Sequence, residues 1–187
     1  WEARLSGNMK ISKMIESLSV LMNAAMDRKR RHVVPLKEEL QYVEAYLHIM
    51  KERLGNRLTV DLEIGEDTLN EKVPRLILQP VIENAIEHGV IRSGSGTVVL
   101  RSYKKGDYLY LETENNGIMS EQERAKVDRL LAPDYDTSKE SSGNLGIANV
   151  NQRLGILYGE PCGLSIFQEK DDRICARLTI FVGLRAQ

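Results

Sequence analysis

Three short stretches carry the side chains able to do chemistry. In "IENAIEHG" (82–89), Glu83, Asn84, Glu87 and His88 interrupt an otherwise apolar helical pattern. Polar groups inside a core-facing helix are costly unless they are hydrogen-bonded or face a ligand. Asn84 and His88 are four residues apart and share one helical face. In "YLYLETENNGIM" (108–119), an alternating strand ends in Glu114, Asn115, Asn116 and Gly117, groups suited to a polar ligand. In "SSGNLGIANVNQRL" (141–154), Gly143 and Gly146 close a polar loop and open a helix, which offers free backbone N–H groups and a positive dipole end to an anion. Each alone has a plain structural reading: Asn84 bridging nearby backbone, His88 closing its helix at Gly89, a loop ending in glycine. Together and in this order they form a much stronger signal of a ligand site.

The elements that must position these groups follow from periodicity. Ile11, Met14, Ile15, Leu18, Leu21, Met22 and Ala25 predict an amphipathic helix from about Glu2 to Met26. A second helix begins at Pro35, and its apolar Leu36, Leu40, Val43, Leu47, Met50 and Leu54 run close to a heptad seam. A hairpin of this kind cannot bury its stripe by itself, so it packs on the rest of the chain or on a second copy. A boundary near Gly55 and Asn56 divides the chain into a helical segment, 1–56, and a second unit, 57–187. That unit opens with a half-buried strand at Leu58–Ile64. A helix follows from near Pro74, interrupted by Pro80 and ended by Gly89. Strands are expected at Thr97–Tyr103 and Tyr108–Glu114, a helix at Glu121–Leu131, and a mobile polar loop over 132–144. A last helix carrying Ile147, Val150, Leu154 and Leu157 precedes a hairpin of Leu164–Gln168 and Ile174–Val182. The fold class is α+β, with helices on one face of a largely antiparallel sheet.

Composition excludes several classes. With 187 residues there is room for one full domain plus a smaller appendage. The net charge of -1 argues against a dedicated nucleic-acid binder, and the basic tract Asp27–His32 reads as a solvated turn between helices. Cys162 and Cys175 lie in apolar, strand-like runs and read as buried free thiols. There is no apolar run long enough to span a membrane, and the start at Trp1, inside a helical pattern, reads as an excised portion of a longer chain.

These motifs resemble the sensor histidine kinases of the LytS/YesM type, whose catalytic part belongs to the GHKL ATP-binding superfamily. "LQPVIENAIEHG" resembles the family's N box, "NNG" stands where its first glycine box belongs, and "GNLGIANVNQRL" is similar to its second glycine box. The resemblance implies a Bergerat α/β sandwich with a mixed, largely antiparallel sheet, preceded by the helical hairpin. It implies a protein-histidine kinase that binds ATP and Mg²⁺, with Asn84 as the Mg²⁺ ligand and His88 near the phosphates. Asn115 and Gly117 would lie at the adenine end, and Gly143, Gly146, Ile147 and Asn149 at the lid end, all as nucleotide-binding residues. Glu83 would be a general base or, by preference, an ion-pair partner of a nearby Arg or Lys. Also implied are a homodimer through the N-terminal helices, a response-regulator partner, no nucleic acid, and a place as the cytoplasmic portion of a membrane-anchored kinase.

The sequence departs from the family in four ways. The phosphoacceptor motif is absent, so the accepting histidine is expected upstream of this chain, and His32 and His48 do not match it. Superfamily ATPases carry a water-activating glutamate one turn before the asparagine; here Pro80 stands there, which favours phosphotransfer over hydrolysis. Glu87 occupies the place of a lysine in many histidine kinases and is expected to point to solvent. The usual Asp-Asn-Gly-x-Gly becomes Asn115, Asn116, Gly117, Ile118 and Met119, one aspartate and one glycine short. Asn115 can still accept from the adenine amino group, without charge assistance, and Glu114 is a candidate for the vacated role. The competing reading is a degenerate module that binds ATP weakly and works through interactions.

Overall fold

A computed structural model of the chain describes residues 9–26, 32–132, 135, 145–170 and 172–183. Most of the 132–144 segment, Gly143 included, and all of the basic tract except His32 lie outside the described residues. Helix α1 (Met9–Met26) runs antiparallel to α2 (Leu36–Leu54): Lys10 pairs with Glu52 at 3.3 Å, and Ser17 Oγ lies 3.2 Å from His48 Nδ1. The two helices divide the expected hairpin stripe unequally. On α2, all of Leu36, Leu40, Val43, Leu47, Met50 and Leu54 are buried, and they join one core with Leu58, Ile77 and Leu78. On α1, Ile11, Met14, Ile15, Leu18 and Met22 stay exposed, and the buried residue is Ala24.

After α2, Gly55 at φ 57 turns the chain into β2 (Leu58–Ile64). The main sheet has the order β2-β4-β5-β7-β6, with β4 at Gly96–Lys105, β5 at Tyr108–Asn116, β6 at Gly163–Lys170 and β7 at Arg173–Phe181. β2 pairs parallel with β4 and the other pairs are antiparallel, so the sheet is mixed as expected. Its inner face, built from Val98, Leu100, Leu109, Leu111, Leu178 and Ile180, packs against the helices. Helices α4 (Glu121–Leu130) and α5 (Leu145–Tyr158) complete that layer. Both cysteines are buried; Cys162 precedes β6 rather than lying within a strand.

The helix expected from Pro74 starts later. Lys72–Pro74 is instead a short strand, β3, paired antiparallel with β1 (Val33–Pro35). Leu76 then takes φ 55, and α3 (Leu78–Ile86) begins just after it. Pro80 therefore sits in the first turn, where its missing N–H has no intrahelical acceptor to lose. Nor does Gly89 end the helix, because a π-helical turn, Glu87–Ile91, carries it on. The glycine serves close approach: a Cβ there would lie 2.6 Å from Asn115 Cβ on β5.

The start of α3 is capped from another helix. Glu39 of α2, 1% exposed, accepts from Leu76 N at 2.5 Å on Oε1 and from Ile77 N and Leu78 N at 2.9 and 3.3 Å on Oε2. These N–H groups have no helical partner, and a carboxylate also suits the positive end of the helix dipole. Burial pushes the Glu39 pKa up; the three backbone donors and Arg153 pull it back without cancelling the rise. Both oxygens are in use, so an amide cannot replace the carboxylate without setting an NH₂ against a donor. Glu39→Ala should lower unfolding stability by about 3 kcal/mol, and Glu39→Gln by about half of that. Urea denaturation of the variants measures this directly; a Glu39→Ala midpoint equal to that of the wild type would show that water caps α3 instead.

Candidate functional site

Between α3, α4, α5 and the inner face of the sheet lies a cavity of about 120 Å³. Asn84, His88 and Arg92 line it from α3 and the turn that follows; Asn115 and Met119 come from the end of β5 and beyond. α4 adds Glu123, Lys126, Val127 and Leu130, and Ile147, Ile166 and Ile174 close the apolar side. The lining therefore combines branched aliphatic side chains with polar and cationic groups.

The helical spacing read from the sequence holds here, and Asn84 and His88 face the same space. Burial, and then the Arg92 guanidinium, hold the His88 pKa below its ordinary value. Arg92 Nη1 lies 3.0 Å from His88 Nδ1. A guanidinium can only donate, so Nδ1 accepts and the ring proton sits on Nε2. Glu87 is exposed, as expected. Glu83 does not line the cavity; it accepts from Gln79 Nε2 at 2.8 Å.

At the end of β5, alternation separates the two candidate acceptors. Asn115, paired with Val98 and Ile174 in the ladder, points inward with Thr113 and Leu111. Its Nδ2 donates to Asn116 O at 2.8 Å, and a carbonyl can only accept, which fixes the amide's orientation and leaves Oδ1 for another donor. Glu114 points to the opposite face and pairs with Arg101 at 2.7 Å and Arg173 at 3.6 Å. Burial works to raise the Glu114 pKa, but the Arg101 bond and the two guanidinium charges prevail and lower it. The carboxylate expected as a substitute for the missing aspartate is thus turned away from the cavity and already paired.

The turn that lacks its second glycine is held by other means. Gly117 has φ +155 and donates to Asp172 O at 2.9 Å, while Asn116 Oδ1 accepts from Thr97 N at 2.7 Å. Gln168 of β6 donates to Gly117 O at 3.1 Å and accepts from Met119 N at 2.8 Å. Met119 thereby puts a side chain into the cavity wall where the family has none. Gly146 sits at the start of α5, where a Cβ would be 3.1 Å from Pro80 Cβ. Ile147 reaches the cavity, whereas Asn149 is exposed and lines a separate groove with His32, Gln152, Arg153, Ile156 and Leu157.

Sequence reasoning missed Arg92, Glu123, Lys126 and Gln168. Ser120 and Glu123 do carry a legible signal, the capping-box spacing: Glu123 N donates to Ser120 Oγ, and Ser120 N donates to Glu123 Oε2. Gln168 also donates to Lys170 O and Arg173 O nearby, but the two contacts that hold the turn, with Gly117 and Met119, join segments far apart in the sequence and leave no local signal.

Comparison with known proteins agrees with this architecture. The family model described as "Histidine kinase" matches residues 1–58. The sensor histidine kinase BtsS of Escherichia coli K12 is 31% identical over 170 residues, which is 89% of this chain and 27% of BtsS. The sensor histidine kinase YesM of Bacillus subtilis 168 is 29% identical over 91% of this chain and 28% of YesM. The chain thus spans between a quarter and a third of these relatives. Among solved structures, the catalytic domain of the histidine kinase ThkA superposes with a TM-score of 0.60 at 13% identity, covering 80% of this chain and 94% of that one. ThkA has also been solved in complex with the response regulator TrrA, with a TM-score of 0.57 at 12% identity, covering 92% of this chain and 49% of that one. At such identities the structural likeness bears on the fold alone, which is that of a histidine kinase catalytic domain. The family match and the sequence relatives, not the fold, are what show that this chain belongs to the sensor histidine kinases of the LytS/YesM type.

Proposed function

We propose that this chain is the ATP-binding catalytic part of a two-component sensor histidine kinase, with residues 57–187 binding nucleotide and 1–56 linking to the phosphoacceptor. The γ-phosphoryl of ATP would pass to a histidine nitrogen upstream of this chain, leaving ADP, and then to an aspartate of a response regulator. One observation carries the reading: Asn84, His88 and Asn115, the last with a spare acceptor oxygen, line a single cavity together with a set of branched aliphatic side chains.

The residues present fit the nucleotide. The aliphatic slot of Val127, Leu130, Ile147, Ile166 and Ile174 suits a flat purine, and Asn115 Oδ1 suits its amino donor. Among the described residues no cluster of three or more His, Cys, Asp or Glu could hold a metal ion. A metal here would take its remaining ligands from phosphate and water, which is the habit of Mg²⁺, with Asn84 as the protein's oxygen donor. Bound Mg²⁺ would supply charge neutralisation across the phosphates. For Glu83 to act as a catalytic residue it must leave Gln79. Pro80, in the place of a water-activating glutamate, favours transfer over hydrolysis.

The exposed α1 stripe of Ile11, Met14, Ile15, Leu18 and Met22 supports a homodimer through the N-terminal helices. Among the described residues no helix is long and apolar enough to cross a membrane, and we place this chain in the cytoplasmic portion of a membrane-anchored kinase. The second reading, a module that binds ATP weakly and acts through interactions, is favoured by Asn115 alone: it offers a neutral acceptor, and Glu114 is committed elsewhere.

Calorimetric titration with Mg-ATP separates the readings. Saturable binding below millimolar concentration is expected, weakened at least tenfold by Asn84→Ala when Mg²⁺ is present and little changed in EDTA; no saturation by millimolar ATP would leave only the interaction module. Asn115→Asp should tighten ATP several-fold, the worth of charge assistance on one hydrogen bond, while lowering the unfolding midpoint because a buried carboxylate then meets Asn116 O. An affinity that falls in this variant would remove Asn115 from the adenine end. Sedimentation equilibrium tests the dimer: Leu18→Glu should shift it to monomer with the unfolding midpoint unchanged, and a dimer that persists would place the contact elsewhere.

A further inference from the structure

An ATP site must bring positive charge to the phosphate tail, and the N-box position that often carries a lysine is here the exposed Glu87, outside the cavity. Among the described residues the cations lining the cavity are Arg92 and Lys126. Arg92 follows His88 by one turn and donates to its Nδ1 at 3.0 Å; on the α4 side it pairs with Glu123 Oε1 at 3.4 Å. Both partners of that ion pair are substantially exposed, at 60% and 46%, so water screens it and it holds Arg92 weakly. Glu123 itself is not free to follow, because its Oε2 accepts from Ser120 N at 3.0 Å and Ser120 Oγ at 2.9 Å.

We propose that Arg92, with Lys126 beside it, is the cation that receives the nucleotide's phosphate tail, and that Glu123 is the partner it gives up on binding. This rests on the ATP-binding reading. A guanidinium fork offers paired donors to phosphate oxygens, a better match than one long, exposed contact with a carboxylate. The exchange needs no rearrangement of α4, since the capping box fixes Glu123 whether or not Arg92 is paired to it. His88 keeps Nε2–H as a donor at the same end of the cavity, so leaving Glu123 does not strip the phosphate end of its other donor.

Calorimetry with Mg-ATP and with adenosine, on the wild-type chain and three variants, tests this. Arg92→Ala should weaken Mg-ATP about tenfold or more, the worth of one charge-assisted pair, and leave adenosine unchanged. Glu123→Gln keeps the capping acceptor but removes the competing charge, and should tighten Mg-ATP a few-fold. The double variant should bind like Arg92→Ala, because the gain from Glu123→Gln exists only through Arg92. Equal Mg-ATP binding by Arg92→Ala and wild type overturns the proposal while the nucleotide site stands. So does a parallel loss of adenosine, which would make Arg92 a support of the cavity rather than a phosphate ligand. A wild-type chain that binds neither ligand overturns this proposal together with the ATP reading.

Discussion

The N-terminus of α3 carries backbone N–H groups with no helical acceptor, and Glu39 of α2 takes those of Leu76, Ile77 and Leu78. Where α3 begins decides where Asn84 and His88 stand, and that beginning is fixed from a different helix. Arg153 of α5 reaches the same place: it donates to Arg75 O at 2.5 Å and to His32 O at 3.2 Å, and its charge acts on Glu39. The guanidinium of Arg75 in turn donates to Ala24 O of α1. Four helices thus share one polar knot at the edge of the core. A displacement of α2 against α3 has to break charge-assisted bonds that are shielded from water, which costs far more than sliding an apolar contact.

On the sheet, strand alternation separates charge from the site. Glu112 and Glu114 fall on the outer face, where Arg177 at 2.6 Å and Arg101 at 2.7 Å neutralise them. Tyr103 Oη donates to Glu112 at 2.8 Å, and the Arg177 guanidinium lies 4.9 Å from the Phe167 ring centre. The inner face at the same level offers only the neutral Asn115. A carboxylate there would be buried and on the face away from Arg101 and Arg177, so the amide spares the inner face a buried charge.

The motifs were legible because their chemistry is local. The i, i+4 pair Asn84 and His88, the alternation of β5 and the apolar stripe of α2 all follow from the period of one element; the pair does share one face and the stripe is buried, while which face of β5 points inward comes from the ladder alone. Errors arose where distant residues decide. The helix expected from Pro74 starts at Leu78 because β1 captures Lys72–Pro74 and Glu39 selects which N–H groups open the helix. Nothing in the sequence marks Glu39, since a carboxylate in the first turn of α2 suits that helix's own dipole, and only tertiary packing turns it inward. Gly89 read as a stop, whereas the contact with Asn115 is what requires it. Arg92 continues the four-residue spacing of Asn84 and His88, but beyond Gly89, where the sequence predicts the helix to stop; Lys126 and Gln168 carry no spacing signal, since long polar side chains on a surface read as solvated until another element is seen to face them.

The first turn of α3 also bears on the kind of chemistry the cavity supports. Hydrolysis requires a group that takes a proton from water, held within hydrogen-bond reach of it. Pro80 has no such group, and the approach of Gly146, with room for no more than a Cβ at 3.1 Å, leaves that turn packed against the start of α5. Of the titratable groups that do line the cavity, Glu123 is tied at its Oε2 to Ser120, and His88 holds its lone pair on Nδ1 toward Arg92. Among the described residues the cavity thus presents donors and the cations Arg92 and Lys126 to an anion, while both of its possible proton acceptors, Glu123 and His88, are turned to Arg92. That arrangement is what the proposed transfer to an acceptor nucleophile from outside the cavity would need.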